Sequence, residues 1–162
     1  MTSYQDSYRK SIDTKEEFWA NEAKGIQWNK IPKNILSQNE EGLYEWFADG
    51  ELNMSALCLD FHIKNGRGDQ TAIIYDSAAR GIVQKISYSE LKSKVAKFAG
   101  ALQSLGVQKE DTVVIYMPMI PEAIVAMLSA ARIGAVHSVV FCGFSPHELS
   151  IRKKESKTKM IN

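Results

Sequence analysis

Three consecutive blocks decide the fold: Thr112-Val-Val-Ile-Tyr-Met117, then Pro121-Glu-Ala-Ile-Val-Ala-Met-Leu-Ser-Ala-Ala-Arg132, then Ala135-Val-His-Ser-Val-Val-Phe141. The first is short and apolar at successive positions, the pattern of a parallel strand covered by helices on both faces. The second opens on a proline, which has no N–H to lose in a first helical turn, and sets Glu122 at the positive end of the helix dipole. Gly134 ends that helix, and Ala135 to Phe141 reads as a second strand buried on both sides.

Working outward, Ser87 and Glu90 form a capping box ahead of a helix. Leu91, Val95, Phe98, Ala99, Leu102 and Leu105 share one face of it, and Gly106 stands where a left-handed residue commonly closes a helix. Before that helix, Thr71 to Tyr75 and Ile82 to Ser87 are strand candidates joined by a loop closing at Gly81, a hairpin. Downstream, Ser145-Pro146-His147-Glu148 packs an N-cap, a first-turn proline and a capping-box acid together, and Lys159-Met160-Ile161 begins a further strand. From residue 88 onward, helix alternates with strand, which predicts a parallel sheet with right-handed crossovers. The pattern breaks off as its last strand begins, so the sheet is expected to be incomplete, with an unpaired edge.

Residues 1–65 read differently, as irregular and helical. Thr14 and Glu17 form a capping box opening a short helix through Phe18, Trp19 and Ala23 that stops near Gly25. Residues 26–39 contain Pro32 and many amides and read as a loop. Tyr44-Glu45-Trp46-Phe47, bounded by Gly42 and Gly50, is a small strand or an aromatic anchor. Asn53 can cap a helix carrying Leu57, Leu59, Phe61 and Ile63. All three tryptophans, Trp19, Trp28 and Trp46, fall in this part, and they call for a larger body to bury against.

Composition bounds the function. The chain has 162 residues, the length of one ordinary domain, enough to bury about 70% of its unfolded surface. Its 20 Lys plus Arg against 19 Asp plus Glu leave a net charge of +1, which offers no basic field for nucleic acid. Residues 37–60 carry six acids and no base, and residues 147–162 carry five bases and two acids; both read as solvated faces rather than binding patches. The longest apolar stretch, Ala123 to Ala131, stops at Arg132, short of the roughly 20 residues that span a bilayer, so no membrane anchor is expected. Two cysteines, Cys58 and Cys142, are neither a disulfide framework nor a metal pair, which favours a reducing compartment. Residues 1–6 lack the character of a secretory or transit signal, so the mature chain is expected to start at Met1.

In open α/β sheets ligands sit beyond the carboxyl ends of the strands, which directs attention to two loops. Met117-Pro118-Met119-Ile120-Pro121 has nothing to move a proton or hold a phosphate by charge, and reads as a structural turn. Phe141-Cys142-Gly143-Phe144-Ser145-Pro146 leads into a helix N-terminus whose N–H groups can receive an anion, although a plain helix cap is the favoured reading. No Gly-x-Gly-x-x-Gly and no Gly-x-x-x-x-Gly-Lys-Ser/Thr occurs, which argues against a self-contained dinucleotide or P-loop site and nearly excludes a free-standing oxidoreductase. His62, His137 and His147 lack metal-ligand spacing, and His137 reads as a satisfied core group. Cys142 has no nameable activating partner, so a small buried hydrophobe is favoured over a nucleophile. Asn53-Met54-Ser55 and Arg67-Gly68-Asp69 match a glycosylation acceptor and an adhesion tripeptide, both short enough to occur by chance.

Four blocks carry a resemblance. Trp46 to Asn53, Asn65 to Ser77, Tyr116 to Ala123 and Ala130 to Phe141 together look like the N-terminal quarter of a short-chain acyl-CoA synthetase of the adenylate-forming superfamily. Ile74-Tyr75-Asp76-Ser77 and Phe144-Ser145-Pro146-His147-Glu148-Leu149 resemble the propionyl-CoA synthetase branch more than the acetyl branch. The resemblance implies an α/β fold: an N-terminal irregular and helical wrap at 1–65, then at 66–162 the incomplete parallel βαβα sheet that begins the AMP-binding domain. It also implies activation of propionate or acetate by Mg-ATP to an acyl-adenylate, followed by transfer to coenzyme A. The family's phosphate loop with its lysine, its nucleotide-binding aromatic segment, its ribose-binding aspartate and its C-terminal lid fall beyond residue 162. No catalytic residue and no metal ligand are therefore expected here, and ATP, Mg and coenzyme A are expected to be held fully only by a longer enzyme.

Only Phe141, Cys142 and Gly143 carry over as site residues, at the adenosine end of coenzyme A. The family usually has two glycines there, and Cys142 stands in place of the first. A cytoplasmic location is expected, with the mitochondrial matrix also compatible. The expected partners are the small-molecule substrates, with neither nucleic acid nor membrane. The alternative is a non-catalytic module that binds coenzyme A or nucleotide weakly, or docks on a full-length homologue through its unpaired sheet edge.

Overall fold

A computed structural model describes residues 3–161. Its internal packing divides the chain into one compact unit up to Leu52 and a second from Asn53 onward.

In the first unit, α1 (Tyr4–Asp13) starts at a capping box that sequence inspection overlooked: Ser3 Oγ accepts from the Asp6 N–H, and the Asp6 carboxylate accepts from the Ser3 N–H. Thr14 alone separates it from α2 (Lys15–Ala23). The box expected at Thr14 and Glu17 does not form, because Thr14 closes α1 instead; its N–H and its hydroxyl both donate to the Lys10 carbonyl, at 3.1 and 3.2 Å. A short antiparallel pair follows, β1 (Leu36–Gln38) with β2 (Tyr44–Trp46). The tryptophans gather locally rather than disappear: Trp19 meets Trp46 edge-on at 6.3 Å, Trp28 lies 5.5 Å from Phe47, and the Trp28 indole N–H donates to the Ala23 carbonyl. Trp19 and Trp46 remain exposed.

The second unit opens with α3 (Met54–Cys58), whose first turn is capped by Asn53 Oδ1 accepting from the Ala56 N–H. The single helix expected through Ile63 is broken at Leu59, followed by α4 (Asp60–His62) and an irregular turn over Ile63–Arg67 with Gly66 at φ +78°. Antiparallel β3 (Thr71–Ser77) and β4 (Ile82–Ser87) form the expected hairpin. Then come α5 (Tyr88–Ser104), β5 (Thr112–Met117), α6 (Pro121–Arg132), β6 (Val136–Phe141), α7 (Pro146–Glu155) and β7 (Met160–Ile161). β5 lies between β6 and β7 and is parallel to both. The Ser87–Glu90 box is present as read, and Gly106 and Gly134 take the left-handed conformation at the ends of α5 and α6.

Two apolar clusters hold this unit. Leu102 and Val107 pack with Val113 and Ile115 of β5 and with Ala126, Ala130 and Ala135. Leu59, Ile86, Leu91, Val95 and Val125 form the other. The small residues of α6 let α5 approach closely, and the fully buried Ser129 hydroxyl is satisfied at that crossing, 3.0 Å from the Val95 carbonyl and 2.7 Å from that of Val125. Leu105, expected on the core face, is exposed; Val107 takes the core position after the Gly106 turn and returns its N–H to the Leu102 carbonyl.

β6 also departs from its reading. Val140 is buried, but Val136, Val139, Phe141 and His137 are exposed, so His137 is not a core group. β6 is the edge of this three-stranded sheet, and an apolar run states what a neighbour would cover without supplying the neighbour.

Ser55 in α3 is fully buried, and its hydroxyl has no hydrogen-bond partner among the described residues. A buried unmade hydrogen bond costs about 1–3 kcal/mol. Ser55→Ala is therefore expected to stabilise the chain by about 1 kcal/mol, raising the thermal midpoint by about 2–4 °C. A lowered midpoint in calorimetry would refute that assignment.

Candidate functional site

The carboxyl ends of β5 and β6 are level, with Met117 paired to Phe141, so the two loops singled out from sequence leave the sheet side by side. After β5 the chain turns at once into α6: the Ile120 N–H donates to the Pro118 carbonyl at 2.9 Å, and Pro121 occupies the first helical turn. Met119 stands exposed there, and no charged or hydroxyl side chain joins it before Glu122. This loop offers no side-chain charge with which to hold a triphosphate or a metal ion. Among the described residues no group of three or more His, Cys, Asp or Glu is placed to hold a metal.

The loop from β6 to α7 is richer. Phe141 and Phe144 face each other edge-on at 6.1 Å, and both are exposed. The Phe144 N–H donates to the Phe141 carbonyl at 3.0 Å, closing a turn over Cys142 and Gly143. Gly143 has the Phe141 ring against its α-carbon, and a methyl group there would overlap that ring. Cys142 is half-buried with a free thiol rather than enclosed. The Ser145 hydroxyl accepts from the Glu148 N–H at 3.4 Å, so the N-cap is present, although no return bond from the Glu148 carboxylate accompanies it. The Arg152 guanidinium lies over the Phe144 ring at 5.3 Å. The three predicted residues, Phe141, Cys142 and Gly143, thus sit in one turn, with an exposed aromatic pair and one cation beside them.

Two features escaped the sequence reading. Tyr116, at the end of β5, reaches this turn: its hydroxyl lies 2.9 Å from the carbonyl oxygens of both Cys142 and Phe144. A tyrosine closing a buried strand next to a glycine loop was the available signal. The other is an ion cluster on α6. Arg132 grips Asp60 through two nitrogens at 2.7 and 3.2 Å, and Lys92 adds a third contact at 2.9 Å. The Arg132 guanidinium, and after it Lys92, hold the Asp60 carboxyl down to about 2 against partial burial that pushes the other way. An apolar groove beside α6, lined by Cys58, Ile73, Ile124, Met127 and His137 among others, presents only His62, Tyr88 and His137 as polar groups.

A model of AMP-binding enzymes matches residues 61–162, and one of the acetyl-coenzyme A synthetase N-terminus matches residues 4–58. The chain belongs to the AMP-binding enzyme family. An acetyl-coenzyme A synthetase of Yersinia pestis is 45% identical over 161 residues, which is 98% of this chain and 24% of that protein. Acyl-CoA synthetase short-chain family member 3, mitochondrial, of Bos taurus is 44% identical over 158 residues, 98% of this chain and 23% of that one. An uncharacterized Pseudomonas aeruginosa protein is 48% identical over 159 residues, covering 98% of this chain and 25% of its own length. The solved acetoacetyl-CoA synthetase from Streptomyces lividans superposes with a TM-score of 0.87 at 25% identity, over 99% of this chain and 25% of that one. As a member of the AMP-binding family, the chain therefore spans about a quarter of the length of these relatives and has the α/β fold of the adenylate-forming N-terminal domain.

Proposed function

We propose that these residues form the N-terminal part of a short-chain acyl-CoA synthetase preferring propionate over acetate, and that the 162 residues alone are catalytically silent. Residues 1–65 would be its N-terminal segment and residues 66–162 the start of its AMP-binding domain. The observation that carries this reading is the alignment of acetyl- and short-chain acyl-CoA synthetases along 98% of the chain. In the proposed reaction a carboxylate oxygen attacks the α-phosphorus of Mg-ATP, pyrophosphate leaves, and the coenzyme A thiolate then displaces AMP from the acyl carbon. The apolar loop after β5 supplies none of the charge that the first step needs, which supports silence of these residues by themselves.

The turn after β6 is suited to coenzyme A. An exposed aromatic pair can stack on a purine, and Arg152 can meet a phosphate. Phe141, Cys142 and Gly143 are assigned to the adenosine end of the coenzyme from the family resemblance, and the aromatic pair and Arg152 beside them are compatible with that assignment. Free thiols at Cys58 and Cys142 suit a reducing compartment, cytosol or mitochondrial matrix.

Pyrophosphate exchange tests the proposal. With ATP, magnesium and propionate, the purified 162-residue chain is expected to return no label from pyrophosphate to ATP. A longer polypeptide carrying these residues is expected to exchange faster with propionate than with acetate. Exchange by the 162 residues alone would overturn the silence, and a preference for acetate would overturn the substrate. The family resemblance implies that the coding sequence past Asn162 carries a Thr/Ser/Gly-rich loop ending in Pro-Lys-Gly within about 150 residues, which would serve as the phosphate cradle.

A further inference from the structure

We infer that Tyr116 is a positioning residue that holds the turn between β6 and α7 in the shape coenzyme A meets. This rests on the coenzyme reading of that turn. The phenol oxygen is half-buried at the carboxyl end of β5, 2.9 Å from the Cys142 carbonyl and 2.9 Å from the Phe144 carbonyl. Those two carbonyls belong to the Cys142–Gly143 and Phe144–Ser145 peptide units, so one hydroxyl proton, shared between them, ties the chain entering the glycine to the chain leaving Phe144. Apart from this hydroxyl, the turn is held among the described residues by the Phe144-to-Phe141 backbone bond and the Ser145 cap. Glycine is the residue least able to hold its own backbone in one conformation, and the Phe141 ring rests against it. Phe141 is set by its place in β6, and a phenol anchored in the central strand decides where Phe144 presents its face beside it. Tyr116 itself touches the turn and not the ligand.

The test uses Cys142 as a built-in reporter and Cys58, in α3, as the reference. Tyr116→Phe keeps the ring and removes only the hydroxyl. Alkylation of the 162-residue chain by iodoacetamide, followed by peptide mass spectrometry, is expected to accelerate roughly five-fold or more at Cys142 in the variant, the change in open-turn population that an ordinary hydrogen bond corresponds to. Cys58 should label at its original rate. In a longer polypeptide carrying these residues, propionyl-CoA, whose thiol is blocked, is expected to slow labelling of Cys142 and to protect the Tyr116→Phe variant less.

An unchanged Cys142 rate would overturn the positioning role. Equal acceleration at both thiols would overturn it too, since the hydroxyl would then support the whole unit rather than the turn. Faster Cys142 labelling with no protection by propionyl-CoA in the longer polypeptide would defeat the coenzyme reading, and this inference with it. Protection of parent and variant alike, with unchanged labelling, would leave that reading standing and remove Tyr116 from it.

Discussion

Leu102→Ala is expected to remove about 3–5 kcal/mol from the stability of the 53–162 unit, the upper part of the range for such truncations. Leu102 is 1% exposed, and most of the buried side chains around it are short or held in the central strand. Its buried neighbours on and after α6 are Ala126, Ala130 and Ala135, methyl groups that cannot swing into a void, while Val113 and Ile115 are fixed in the central strand. A cavity that cannot collapse keeps its full cost. The comparison that isolates this reasoning is Leu105→Ala, three positions on, at the C-cap of the same helix. Leu105 is 67% exposed, so its truncation should cost less than about 0.5 kcal/mol. Urea unfolding of the two variants should separate their midpoints widely at unchanged slope. Similar midpoints would show that the core does not lie where the alanine face of α6 meets β5.

The contrast between those two leucines shows how far residue pattern reaches. Both share the helical period, so periodicity alone puts both in the core; only the Gly106 turn, which carries Val107 inward, separates them. Local signals with a stereochemical cause were readable: the Ser87–Glu90 box, Pro121 in a first turn, and Gly81, Gly106 and Gly134 at positive φ. Each concerns residues a few positions apart. What escaped reading depends on partners distant in the chain or on competition between neighbours. Tyr116 meets carbonyls 26 and 28 positions away, and Asp60 meets Arg132 across 72. Thr14 could cap α2 or close α1, and two adjoining helices leave it only one choice. His137 and the apolar residues of β6 fit a strand covered on both faces, but exposure is set by what lies alongside, which a run of valines does not encode. For the candidate site, the resemblance picked out Phe141, Cys142 and Gly143, whereas the hydroxyl that shapes their turn emerged only from the packing of β5 beside β6.

The same distance in sequence gives Asp60 its weight. The carboxylate binds Arg132 in the last turn of α6 and Lys92 on α5, while the Asn53 side-chain amide donates to the Ala131 and Arg132 carbonyls at 3.1 Å each. Residues 53–60 thus clasp the C-terminal end of α6 through the Ala131 and Arg132 carbonyls and its last cation. Removing the charge by Asp60→Asn leaves Arg132 with half a partner. The carboxyl is held at about 2, against an ordinary 3.8, and each unit of such a difference corresponds to about 1.4 kcal/mol. With the Asp60 side chain 31% exposed, solvent screening reduces the net loss to about 1–2 kcal/mol at neutral pH. Because the folded carboxyl titrates below its ordinary value, this contribution is complete above about pH 5 and drains away as the pH falls toward 2, reaching roughly half near pH 3. Thermal midpoints of the parent chain and the Asp60→Asn variant should therefore differ most at neutral pH and converge on acidification through that window. A gap that stays constant from pH 7 to pH 2.5 would mean that the clasp works through shape and the Asn53 bonds, with the ion pair contributing nothing of its own.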